Sequence, residues 1–194
     1  MAGTVSQAVF CVAYARMAVH AHWPLALAAG SLAFVVSTLT LSWLSLGLGW
    51  FAVLAVGSLL AARSLMPKIS VSSRMPEPPP AWDIPARMVV TTGFVLLLTD
   101  VASRLGPRLT GLVAPFPLYA AILVVFTHAL EGPGHAAAVL RGLLVGLYCF
   151  TGFFFVLAAL LERVGMFAAF SAATAAMLAI QAGTLLLLRR DAPA

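Results

Sequence analysis

MAVHAHWPLALAAGSLAFVVSTLTLSWLSLGLGWFAVLAVGSLLAA, residues 17–62, runs for 46 positions without a Lys, Arg, Asp or Glu. A soluble domain carries about 25% charged residues, so a gap of this length marks chain that lies in hydrocarbon. An α-helix rises 1.5 Å per residue, and about 20 apolar residues cross a bilayer core. The stretch therefore holds two crossings and a turn. Gly47 and Gly49 supply the turn, and Trp43 and Trp50 flank it as interfacial anchors.

Further charge-free runs cover residues 109–130, 142–161 and 164–188. The whole chain of 194 residues is 62% hydrophobic and 9% charged, with a mean hydropathy of +1.05. This pattern predicts an all-α, polytopic transmembrane helix bundle of seven spans. They lie at about 5–19, 23–43, 49–65, 87–104, 109–130, 136–161 and 166–188. The first is the weakest, being short and holding Ser6, Gln7 and Arg16. Ala13-Tyr14-Ala15 imitates a small-x-small cleavage site. No Lys or Arg precedes it and its apolar run is short, so residues 5–19 read as a helix rather than a cleaved leader.

Residues 66–81 form the one clear linker, with Lys68, Arg74, three serines and prolines at 76, 78, 79 and 80, a composition that favours extended, solvated chain. The expected organisation is an N-terminal three-span half at 1–66, a cytoplasmic linker at 67–84 and a C-terminal four-span half at 85–191. Three spans before the linker give the parity of a degenerate inverted repeat. Trp23-Pro24-Leu25 and Phe116-Pro117-Leu118, each followed by an apolar run, echo one another weakly in the two halves.

Basic residues orient the bundle. Arg16, Arg63, Lys68, Arg74, Arg87, Arg141, Arg189 and Arg190 fall on one side, and Arg104, Arg108 and Arg163 on the other. The positive-inside tendency then puts the linker and C-terminus in the cytoplasm, in a multi-pass protein of the cell inner membrane. The net charge of +5 reflects this topology and contacts with anionic headgroups, and nucleic acid is not an expected partner.

The second half resembles GlpM-like small bacterial inner-membrane proteins. Gly111-Leu112-Val113, Phe116-Pro117, Glu131-Gly132, Leu140-Arg141 and Gly146 carry the resemblance in order, over about residues 86–190. It implies an integral membrane protein associated with envelope polysaccharide physiology, and it supplies no catalytic residues.

Several residues are candidates for a solute or ion pathway. Asp100 lies within a span, where ionisable groups are costly and often functional, and Thr99 adjoins it. Arg104, at i+4, offers the structural alternative of an ordinary ion pair. His128 and Glu131 share the last turn of span five, with His135 beyond a Gly-Pro-Gly turn, and they read either as a switchable pair or as a solvated loop cluster. Pro115 and Pro117 remove backbone donors, which leaves carbonyls around Gly111 for a cation or solute if the span breaks there. If both prolines fall in the first turns of the span they are simply tolerated.

Gly142 and Gly146 form a GxxxG, with Gly152 farther along, and predict close helix packing within the bundle or in a homodimer. Cys11 and Cys149 are not near-neighbours in sequence and read as packing residues. The chain carries no Walker loop, dinucleotide fingerprint, HExxH or nucleophile elbow. The expectation is a transporter-like protein for a small solute or ion, not an enzyme, with no cofactor and no metal. The alternative is a non-catalytic membrane subunit or assembly factor. The lipid bilayer is the main partner.

Overall fold

A computed structural model describes residues 2–44, 47–67, 69, 80–113 and 115–190, with side-chain surroundings for all of these except 98, 101–113 and 187–190. Seven helices follow in order: α1 (Ala2–Ala18), α2 (Trp23–Ser42), α3 (Leu48–Leu65), α4 (Asp83–Val113), α5 (Leu118–Glu131), α6 (Pro133–Val164) and α7 (Met166–Arg190). No strand occurs among the described residues, and the fold is all-α. Four helices, α2, α3, α6 and α7, are long and apolar enough to cross a membrane, and α5 is a shorter apolar helix.

The side chains of these helices face outward to an extent that water would not tolerate. Leu32 and Val36 on α2, Val53 on α3, and Phe167 and Leu178 on α7 are all exposed, Phe167 at 87%. Contiguous apolar surface on this scale marks contact with lipid. The chain is a multi-pass membrane protein.

Local sequence explains where helices begin and end. Pro24 sits at the start of α2 and Pro133 at the start of α6, positions where a missing N–H is unneeded. Gly132, at φ 92°, makes the turn between α5 and α6, a conformation that a side chain would strain. Asp83 opens α4 and accepts a 2.9 Å bond from Arg87 Nε, and the Arg87 guanidinium stands 5.2 Å from the centroid of the Phe126 ring on α5.

Two expectations need correction. Span five does not start at Leu109, because α4 runs unbroken over Gly106-Pro107 to Val113, and the chain reverses at Pro115-Phe116-Pro117. A lone proline deletes one hydrogen bond and is absorbed in a long membrane helix. Two prolines spaced by one residue delete two donors and push the residue before each towards extended backbone, so the helix stops there.

The second correction concerns α1. Far from being marginal, it is the central helix, packed against α2, α3 and α6, and Phe10, Cys11, Tyr14 and Ala15 are fully enclosed. Its low hydropathy follows from its place, since a helix surrounded by protein can keep polar side chains that lipid would penalise. α4 and α7 lie at the periphery, packing mainly on α5 and α6 respectively.

Residues from both sides of the linker share one core: Phe10, Ala26, Phe34 and Leu59 meet Val124, Leu140 and Leu144. Most of the linker, including Lys68 and Arg74, lies outside the described residues.

Candidate functional site

The polar residues that made α1 look weak are what organise the interior. Gln7 and Tyr14 are seven apart, two helical turns, and lie on one face. Gln7 Nε2 donates 2.7 Å to the carbonyl oxygen of Pro115, and Tyr14 Oη lies 3.2 Å from His128 Nδ1. The turn before α5 and the last turn of α5 thus each reach α1 through one polar contact, while α1 packs mainly on α2, α3 and α6. Gly3 permits the first, since a Cβ there would stand 2.5 Å from Pro115 Cβ.

Between the two contacts lies an aromatic layer. Phe116, from the Pro-Phe-Pro turn, meets Phe10 edge-on at 6.0 Å between ring centroids and Phe34 at 5.3 Å. Tyr14 closes the layer against Phe10 and His128, each 6.0 Å away between centroids. The seam thus reads polar, aromatic, polar along its length. The Thr4 and Ser6 hydroxyls, in the first turns of α1, are buried and have no hydrogen-bond partner among the described residues, as is also true of Thr38 on α2. Buried polar atoms are nearly always satisfied, so these three hydroxyls depart from the usual pattern.

The pathway candidates from the sequence divide. His128 and the Pro115–Pro117 break both join the seam. Glu131 is exposed at the end of α5, and its backbone carbonyl, rather than its carboxylate, lies 3.1 Å from His135 Nδ1. Among the described residues no three His, Cys, Asp or Glu gather as metal ligands.

Asp100 and Thr99 are exposed on α4, and Thr99 Oγ1 donates to the Val95 carbonyl. Arg87 marks the level of Phe126, and Asp100 stands about 20 Å farther along α4, towards the N-terminal end of the antiparallel α5. Asp100 and His128 therefore do not converge. Gly111 lies within α4 and precedes the break; the side chain of Arg104 lies outside the described residues.

The glycines also divide. Gly152 is the close-packed one, where an added Cβ would collide with Ile180 of α7. Gly142 and Gly146 are exposed, and a Cβ at either meets nothing within 4 Å, so this GxxxG is not a packing seam inside the bundle. Both glycines line a cleft that α6 shares with α3 and α7. A second groove, of about 550 Å³ and almost wholly apolar, lies between α2, α4 and α5, from Trp23 and Trp82 to Phe116.

The spacing of Gln7 and Tyr14 was the readable signal for the seam. The charge pattern drew attention to Asp100 instead, because a carboxylate looks more conspicuous than an amide or a phenol. Comparison with protein-family models, with curated proteins and with solved structures finds no match for this chain.

Proposed function

We propose that the protein is transporter-like and passes a small polar solute or ion along the seam between α1 and α5. The layering of that seam carries the reading: Gln7 with the Pro115 carbonyl at one end, Tyr14 with His128 at the other, and Phe10, Phe34 and Phe116 between them. An aromatic constriction between polar sites gates passage by excluding water until the rings move apart. His128 can exchange a proton through either ring nitrogen, which suits a coupling role. Asp100 lies outside this passage, towards its outer mouth. The basic-residue pattern and the GlpM-like resemblance support a bacterial inner membrane with the linker and C-terminus cytoplasmic. No bond-making chemistry is assigned.

Purified protein in vesicles loaded with a pH-sensitive dye tests the reading under an imposed potassium potential. Proton flux above that of empty vesicles is expected, raised by Phe116→Ala and lowered by Gln7→Leu and His128→Phe. Flux equal to empty vesicles for protons, sodium and potassium, in wild type and Phe116→Ala alike, would remove the support for ion passage.

The continuous packing of Phe116 on Phe10 and Phe34 favours a second reading, a non-catalytic membrane subunit or assembly factor. A partner that co-purifies in fixed stoichiometry, together with absence of flux, would select it.

A further inference from the structure

α6 and α7 are in close contact at Gly152, whereas Gly142 and Gly146, on a face of α6 turned about 80–120° away, look into open space. The last turns of α3 close the third side of the gap, giving a cleft of about 450 Å³, within the range of ligand-sized sites. Arg63 and Arg141 line it, with Gln181 and Thr184 beside them and Leu144 and Leu185 as apolar wall.

Three observations bear on what fits there. First, neither guanidinium is paired with a carboxylate among the described residues, and Arg63 makes no hydrogen bond with any of them. Arg141 gives one N–H to the Pro67 carbonyl and keeps the rest of its donor fork. Second, both arginines stand at the edge of charge-free runs, Arg63 directly after 17–62 and Arg141 directly before 142–161. α3, α6 and α7 all qualify as membrane spans, so the basic end of the cleft lies at the bilayer interface and the apolar end in hydrocarbon. Third, the two glycines leave a floor without side chains beneath Arg141, wide enough for a chain to lie on α6.

We infer that this cleft binds an anionic phospholipid. Its phosphate is held between Arg63 and Arg141, and an acyl chain lies along Gly142 and Gly146 against Leu144 and Leu185. Guanidiniums make charge-assisted bonds to phosphate oxygens, and basic pockets between membrane helices take anionic headgroups. A water-soluble phosphate would satisfy the arginines and leave the apolar half of the cleft unfilled. The site is separate from the α1–α5 seam, and its occupancy does not depend on transport.

Native mass spectrometry of the full chain in mild detergent, with phosphatidylglycerol, phosphatidylcholine or inorganic phosphate added, tests the assignment. Phosphatidylglycerol is expected to be retained at least tenfold more than phosphatidylcholine. Arg63→Gln lowers that preference several-fold, and Arg63→Gln with Arg141→Gln abolishes it. Gly146→Leu, whose side chain starts in open space, reduces retention by filling the floor and leaves the lipid-free melting temperature unchanged. Arg163→Gln, at the opposite end of α6, leaves retention intact. Equal retention of the two lipids, or an unchanged preference in the double variant, overturns the proposal. Displacement of phosphatidylglycerol by millimolar inorganic phosphate, with Gly146→Leu unaffected, assigns the arginines to a free anion and overturns the lipid. Should the double variant fail to fold, Arg63→Gln alone decides, because that side chain has no partner within the described protein.

Discussion

Gly30 on α2 is where the central helix is gripped, and enlarging it tests the core directly. A Cβ built there lies 3.0 Å from Phe10 Cε2, 3.1 Å from Phe10 Cδ2 and 3.3 Å from Tyr14 Cβ. Alanine needs a few tenths of an ångström of give, and it gains up to about 1 kcal/mol of helix propensity, so Gly30→Ala should be close to neutral. Leucine carries three more carbons towards a ring with nowhere to go: Phe10 is fully buried and backed by Phe116 and Tyr14. Overpacking of this kind costs about 1–3 kcal/mol. For a chain of this size each kcal/mol moves the melting temperature by about 2–4 °C, so Gly30→Leu should melt about 3–10 °C below wild type. Cys11 and Cys149 are both buried and report unfolding through a thiol-reactive dye in detergent. Gly57→Leu, with nothing within 4 Å of its Cβ, serves as the neutral control. A Gly30→Leu midpoint equal to wild type would refute the close approach of α1 and α2 and, with it, the aromatic layer built on Phe10.

Tyr14→Phe leaves the buried His128 imidazole without its partner and should cost about 1–3 kcal/mol in the same thermal assay. Combined with His128→Phe, the loss should fall short of the sum by at least about 0.5 kcal/mol; strict additivity would mean that the two side chains do not interact. Asp83→Ala takes a buried carboxylate away from the largely covered Arg87 and should lower stability by about 1–3 kcal/mol, and an unchanged melting temperature would show that the pair contributes nothing. Maleimide should label neither cysteine in the folded protein and both after denaturation. Rapid modification of Cys149 in the folded state would contradict its burial and its 2.9 Å bond to Gln181 Oε1.

The helical, membrane-spanning class was legible because hydrocarbon imposes one rule on every lipid-facing residue, and a 46-residue gap in charge obeys it. Helix breaks were partly legible. Gly132-Pro133 announced its turn, but Gly106-Pro107 looked like a stronger stop than Pro115–Pro117. The difference lies in how many donors are lost within one turn, which composition alone does not weigh against the surrounding protein.

The site was less readable. Hydropathy scores a Gln or Tyr against lipid, so it marks α1 down for Gln7 and Tyr14, whereas the neighbours that accept them come from distant chain. The GxxxG was half legible: it left packing within the bundle and in a homodimer both open, and within the bundle the close approach of α6 and α7 falls at Gly152, on another face, instead of at Gly142 and Gly146. Arg63 and Arg141 were read as topology markers, and their meeting in one cleft depends on how α3 sits against α6.

The contacts that satisfy α1 also set a schedule for making the protein. Gln7 and its acceptor at Pro115 are 108 residues apart, and Tyr14 and His128 are 114 apart. At a ribosomal rate of about 5–20 residues per second, α1 waits roughly 5–20 s for partners that do not yet exist. During that interval α2, the neighbour with which it packs most extensively, is the first available shelter for its polar side chains. α1 is then secured long after it is made, and its retention in the nascent membrane protein rests on the α1–α2 hairpin holding until α5 and α6 arrive.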